Sequence, residues 1–82
     1  MKLAHVAWPE VEQRIAAKQA VLLPCGSTEQ HGPMGMIGTD AICAQAIALR
    51  AAKQVDALVA PVLSYTPAPF NTSFPGTVSL SE

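Results

Sequence analysis

Residues 20–63, AVLLPCGSTEQHGPMGMIGTDAICAQAIALRAAKQVDALVAPVL, hold two short apolar runs separated by one helical pattern. The first run, AVLLP at 20–24, predicts a short buried strand that opens into a loop at Pro24, which has no backbone donor to offer a ladder. At 40–54, Ile42, Ala46, Leu49 and Lys53 follow one row of a helix, and Cys43, Ile47 and Arg50 follow another. That spacing predicts a helix whose apolar stripe is broad at its start and fades towards a charged end. The second run, ALVAPVL at 57–63, predicts another strand. Strand, helix, strand in this order gives a parallel pair with a right-handed crossover, and so an α/β fold.

Working outward, PEVEQRIAAKQ at 9–19 predicts a helix. Pro9 suits the first turn, Glu10 and Glu12 favour the positive end, and Val11 and Ile15 share a face on which Trp8 can pack back. Thr39 or Asp40 can cap the second helix, and Arg50 and Lys53 suit its negative end. The tail, SYTPAPFNTSFPGTVSLSE, is irregular until TVSLS, whose alternation can begin a strand after the Pro75-Gly76 turn. A two-stranded parallel unit leaves a sheet face and both edges to be covered. The pattern therefore reads as the front of a larger α/β domain, or as a chain that needs a partner.

Composition narrows the function classes. With half of its 82 residues apolar, 13% charged and a net charge of -1, the chain has the make-up of a packed protein and no basic field for nucleic acid. A chain this short buries only roughly 60–65% of its unfolded surface, so its own core is marginal. Cys25 follows an apolar run and Cys43 falls in an alanine-rich helix, both ordinary places for a buried free thiol. Neither a signal-like N-terminus nor an apolar run of ~18 residues is present, so a cytoplasmic location with no membrane contact is the expectation.

The chemistry lies between the first strand and the second helix, where Glu29, His31 and Asp40 sit in a glycine-punctuated loop. In an extended path, residues two apart project to the same side, which pairs Glu29 with His31. Pro33 biases Gly32 away from the helical region, and Gly35 and Gly38 help the loop return to bring Asp40 to the helix start. Two carboxylates and an imidazole suit divalent zinc or manganese, and carboxylates placed between two cations offset their repulsion. Three ligands cannot complete two coordination shells, so further donors are required from elsewhere. The competing reading is a satisfied loop network in which Asp40 is a helix cap. Ser27 and Thr28 read as turn residues rather than nucleophiles, His5 as an exposed or helix-flanking histidine, and the glycines do not form a phosphate loop. In an open α/β sheet, the loops leaving the carboxyl ends of both strands, 25–40 and 65–76, should rim one mouth.

Taken together, LLPCGSTEQHGPMGMIGTD at 22–40 resembles the metal-binding motif of the creatininase (creatinine amidohydrolase) family, and FPGTVSL at 74–80 resembles its second signature. The likeness runs in order along nearly all 82 residues. It implies that residues 1–82 are the N-terminal part of a single hydrolase domain, with a three-layer α/β/α fold and a mostly parallel sheet. It also implies two divalent ions, zinc or manganese, with Glu29 on one, His31 on the other and Asp40 bridging. A further His and Glu would come from beyond residue 82, which leaves the isolated chain inactive. Hydrolysis of a C–N bond in a small amide or cyclic amide, in a homo-oligomeric enzyme, is the implied function. Alternatives are a relative acting on a lactone, formamide or small peptide, or a non-catalytic assembly fragment. Where many relatives have a second histidine after Gly-Pro, this chain has Met34. Where many have Tyr-Gly and then Glu-His, it has Thr66 after Tyr65, then Phe70 and Asn71. Those changes point to an uncharged or partly apolar substrate face.

Overall fold

Both apolar runs form strands, yet each pairs over only two residues. In the computed structural model, which describes residues 1–69 and 72–81, β1 (Val21–Leu22) runs parallel to β2 (Leu58–Val59), with Val21 opposite Leu58 and Leu22 opposite Val59. Phe70 and Asn71 of the predicted rim lie outside the described residues. The predicted strands, 20–24 and 57–63, are cut short because Pro24 and Pro61 bring no N–H to the ladder. Pairing resumes past them as a parallel bridge between Cys25 and Leu63. There Leu63 N–H donates to Pro24 O at 3.0 Å and Gly26 N–H to Leu63 O at 2.8 Å. The second strand spends one more residue than the first between the two paired stretches.

One edge expected to be bare is covered. Lys2 pairs in parallel with Val59, whose N–H donates to Met1 O, so β2 lies between β1 and the first residues of the chain. A 3-10 turn, Leu3–His5, then leads to α1 (Trp8–Ala16), which carries exposed His5 just before it. Helix α1 begins at Trp8 itself, and the indole is 74% exposed rather than packed back on the helix. The helix also ends earlier than its pattern, because Lys18 turns to a left-handed φ of 58°.

Helix α2 (Thr39–Val55) matches the predicted 40–54 and packs on β2. The core is small: Ala52, Ala57 and Val59, with Leu22, Ala48 and Leu49 against them, and Leu58 as the one large fully buried side chain among the described residues. Arg14 of α1 reaches the other end of α2, donating from Nη1 to Asp56 O at 2.9 Å, where Asp56 closes the helix in a left-handed conformation. A guanidinium on the last carbonyls sits where the helix dipole is negative. Both cysteines are free, and both are exposed rather than buried, since Cys43 lies on the face of α2 turned away from the sheet.

The molecule is open for its size. Its radius of gyration is 15.4 Å, where about 12 Å is usual for 82 residues. Its accessible surface is 5868 Å², where about 4700 Å² is usual at this mass. Ile42, Ile47 and Val55 of α2, and Val21 and Leu23 along β1, are exposed and contribute to that excess. No helix among the described residues is long and apolar enough to cross a membrane.

Candidate functional site

Past Pro24 the chain turns across the first turn of α2, and glycine permits the approach. A Cβ at Gly26 would lie 2.6 Å from the Cα and N of Ala41 and 2.7 Å from the carbonyl carbon of Asp40, all of them backbone atoms. That proximity sets residues 27–29 beside the positive end of α2, where negative charge is favoured.

Ser27 is the hub. It is buried, at 8% exposure, and its Oγ lies 2.6 Å from Oε2 of Glu29 and 2.8 Å from Oδ2 of Asp40. The other carboxylate oxygen of Asp40, Oδ1, is 3.5 Å from Nε2 of His31. On the far side of the ring, Nδ1 is 3.0 Å from the Glu29 carbonyl. A carbonyl only accepts, so Nδ1 carries a proton, and in the neutral ring the Nε2 lone pair faces Asp40. This hydrogen bond to the backbone is the largest effect on the His31 pKa and, with the lesser help of the Asp40 and Glu29 carboxylates, holds it above the usual imidazole value against desolvation, the second-largest effect, which opposes it.

The loop that carries Glu29 and His31 is tied on three sides. Glu29 N–H donates to Ile37 O at 3.2 Å, closing the loop at its base. Gly32, at φ 79°, starts a turn closed by Gly35 N–H to Gly32 O, with Met34 at its exposed tip. The third tie comes from the Phe-Pro-Gly-Thr turn. Thr28 pairs antiparallel with Val78, Val78 N–H donating to Thr28 O at 2.9 Å, and Gln30 N–H donates to Thr77 Oγ1 at 2.9 Å. Gly76, at φ 95°, takes a left-handed backbone conformation that favours glycine, and this seats the turn against Ile37 of the loop. The strand-like alternation at 77–81 thus yields a single bridge instead of a strand.

The loop after β2 joins the same rim. Thr28 Oγ1 donates to Ser64 O at 2.8 Å, and Thr66 Oγ1 donates to Gly26 O at 2.9 Å. Beside the loop, a cleft of about 310 Å³ opens between Gln30, Gly32 and Pro33 on one side and Phe74 and Pro75 on the other. The two loops leaving the carboxyl ends of the strands therefore border one region.

All three residues singled out in the sequence are brought together, and the helix-cap reading of Asp40 is overturned. Gly38 holds the N-cap position of α2, with no side-chain cap hydrogen bond, while Thr39 Oγ1 donates to Met36 O. The Asp40 carboxylate is spent on Ser27 and His31 instead. From its sequence neighbours Ser27 is expected to be a turn residue. Its burial and its two carboxylate neighbours, thirteen and two residues away, are products of the fold. As they stand, the groups are adjacent without converging on a point: among the described residues, no set of three or more His, Cys, Asp or Glu side chains is arranged to hold a metal ion outright.

The donor set nevertheless fits divalent metal chemistry. A serine hydroxyl has one proton and here faces two carboxylate oxygens, so the second contact is between oxygens and calls for positive charge nearby. Oxygen and imidazole nitrogen are the donors that zinc and manganese accept, and the ring's other nitrogen is held by a carbonyl in the manner of ligating histidines.

Comparison with known proteins gives a consistent set of likenesses. Residues 4–82 match the family described as creatininase, creatinine amidohydrolase. Over 88 residues the chain is 39% identical to the mycofactocin precursor peptide peptidase of Mycolicibacterium smegmatis, covering 93% of this chain and 36% of that protein. Over 84 residues it is 38% identical to the creatinine amidohydrolase of Pseudomonas putida, covering 95% of this chain and 32% of that protein. A crystal structure of creatinine amidohydrolase superposes with a TM-score of 0.89 at 34% identity, over 96% of this chain and 33% of that one. A manganese creatininase gives 0.90 and a mutant creatininase of Zn-Zn type gives 0.86, each at the same identity and coverage. The α/β fold, with a parallel sheet flanked by helices, is that of these structures. The chain spans about a third of the length of the relatives it matches.

Proposed function

This chain belongs to the creatininase (creatinine amidohydrolase) family, and from that premise we propose that the intact protein hydrolyses a C–N bond in a small amide or cyclic amide. Residues 1–82 form the N-terminal part of one hydrolase domain, whose remainder covers the exposed apolar side chains of α2 and β1 and supplies the missing donors. The soluble small-molecule substrate, cytoplasmic location and homo-oligomeric assembly belong to the same proposal.

The observation that carries the reading is the division of labour within Asp40. Its Oδ1 faces His31 and its Oδ2 faces the Ser27 hydroxyl, whose other neighbour is the Glu29 carboxylate, so Asp40 stands between an imidazole on one side and a hydroxyl shared with a second carboxylate on the other. A residue placed this way can bridge two cations, with Glu29 holding one and His31 the other. Two bound ions, zinc or manganese, would acidify a water and polarise the amide carbonyl.

The chain's own residues set the conditions for that chemistry. The Glu29 carbonyl fixes the His31 tautomer so that Nε2 is the free nitrogen. The start of α2 favours the negative charge of Asp40 at the place where it is needed. The Phe-Pro-Gly-Thr turn and the 64–66 loop hold residues 26–30 in place through hydrogen bonds between threonine hydroxyls and the backbone, which preserves geometry through turnover.

A small peptide is the second reading, favoured by the cleft of about 310 Å³ beside the loop, whose Pro33, Phe74 and Pro75 give a partly apolar wall, and by the likeness to a precursor peptide peptidase. The test is hydrolysis by the intact protein of cyclic amides, linear amides and short peptides, with and without a chelator. Chelator-sensitive, metal-restored amide cleavage that Asp40→Ala abolishes supports the proposal. Activity equal in Asp40→Ala, or untouched by complete metal removal, refutes it, and preference for peptides selects the second reading.

A further inference from the structure

We propose that Ser27 is a positioning residue whose buried hydroxyl sets the spacing of the Glu29 and Asp40 carboxylates for cation binding, an inference that rests on the metal-site reading above. Three observations carry it. Ser27 Oγ lies 2.6 Å from Glu29 Oε2 and 2.8 Å from Asp40 Oδ2, so a single hydroxyl oxygen stands between the two carboxylates, its one proton serving one of them at a time. These carboxylates come from different elements, a loop and the first turn of α2, and their mutual repulsion pushes those elements apart unless something spans them. Ser27 is also immobilised by its neighbours rather than by its own length. Gly26 is bonded to Leu63 through its N–H and to Thr66 through its carbonyl, and Thr28 is bonded to Ser64 through its side chain and to Val78 through its carbonyl. A short side chain on a backbone fastened on both sides is a peg against which two mobile carboxylates register.

The proton of the hydroxyl is directed at the carboxylates. Its effect is on how well the carboxylates are prearranged. Partners of this kind typically change metal affinity by about 10–100-fold when removed. A serine that merely filled space would leave affinity unchanged on conversion to alanine, which has nearly the same volume.

The experiment compares intact wild-type protein with Ser27→Ala, Ser27→Thr and Asp40→Ala. Zinc and manganese affinities are read by competition with a chromophoric chelator, and the melting temperature of each metal-free form is measured alongside. Ser27→Ala is expected to bind metal about 10–100-fold more weakly while its metal-free melting temperature stays within about 2–4 °C of wild type. Ser27→Thr, which keeps the hydroxyl, should recover most of the affinity. Wild-type affinity in Ser27→Ala, with or without a lower melting temperature, overturns the proposal while the metal site stands if Asp40→Ala loses binding. Absence of metal binding in the wild type overturns the site reading itself. If Ser27→Ala does not fold, the near-isosteric Ser27→Cys decides, its weak S–H donor lowering affinity if Ser27 positions the carboxylates and leaving it unchanged if not.

Discussion

Replacing Gly26 by alanine puts the shared approach of loop and helix under direct test. Gly26 is not among the glycines with positive φ, so alanine can adopt its backbone conformation and the cost is steric alone. The new Cβ would meet backbone atoms of Ala41 at 2.6 Å, whereas carbon atoms rest at about 3.5–4.0 Å. No side chain can swing aside, so the first turn of α2 must retreat by about 1 Å relative to the loop. Crowding of this kind costs about 1–3 kcal/mol. The same retreat would carry Asp40 Oδ2 from its 2.8 Å contact with Ser27 to beyond hydrogen-bond range. The intact Gly26→Ala protein should therefore melt about 2–12 °C lower, at about 2–4 °C per kcal/mol for a domain of the relatives' size. Its metal affinity should fall by at least about 10-fold, as when a carboxylate's support is lost. Differential scanning calorimetry and metal titration on the same samples read both quantities. Wild-type melting with wild-type affinity would show that the close approach of Gly26 to Ala41 does not position the site.

Arg14→Ala should destabilise the intact protein by about 1 kcal/mol in urea unfolding, reflecting the lost hydrogen bond to Asp56 O. The accompanying pair with the exposed Asp56 carboxylate adds little after solvent screening, so Asp56→Asn should be nearly silent. His31 has a pKa raised first by its hydrogen bond to the Glu29 carbonyl, so the metal-free fold holds this proton to higher pH than a free imidazole does. Its stabilising effect is full below the ordinary imidazole range and is lost as pH rises through the raised value. Ligation needs the neutral ring, so metal affinity should run the other way and weaken as pH falls through that value; a titration series giving a flat profile there would contradict the assignment. Residues 1–82 made alone should show little or no hydrolase activity and a broad, concentration-dependent thermal transition, because α2 and β1 expose apolar side chains. A sharply melting monomer, or chelator-sensitive turnover, would overturn that expectation.

What the sequence disclosed, and what it withheld, follow one physical division. Helix α2 was legible to within a residue at each end because a long amphipathic pattern is a local signal. The strands were legible in kind and order but not in length. Pro24 marked the end of the first, whereas the effect of Pro61 depends on which strand it faces and in what register. Glu29, His31 and Asp40 were legible as residues that the loop could bring together, and Asp40 illustrates how one position supports two local readings. Near a helix start an aspartate is an ordinary cap, and only the fold, by bringing Ser27 and His31 to it, takes its carboxylate elsewhere. Ser27 itself was illegible, since a serine between glycine and threonine carries no mark of future burial. The exposed Trp8, Cys25 and Cys43 were misread for a related reason: an apolar pattern tells which face seeks cover, not whether these 82 residues supply it.

The role given to Asp40 is open to direct inspection. Crystals of the metal-loaded intact protein, with diffraction recorded on both sides of the zinc or manganese absorption edge, would locate bound ions by their anomalous scattering. Two peaks flanking the Asp40 carboxylate, one beside Glu29 and one beside His31, are the expected result. Fully loaded crystals with no peak in this region, or with ions held only by other residues, would contradict it.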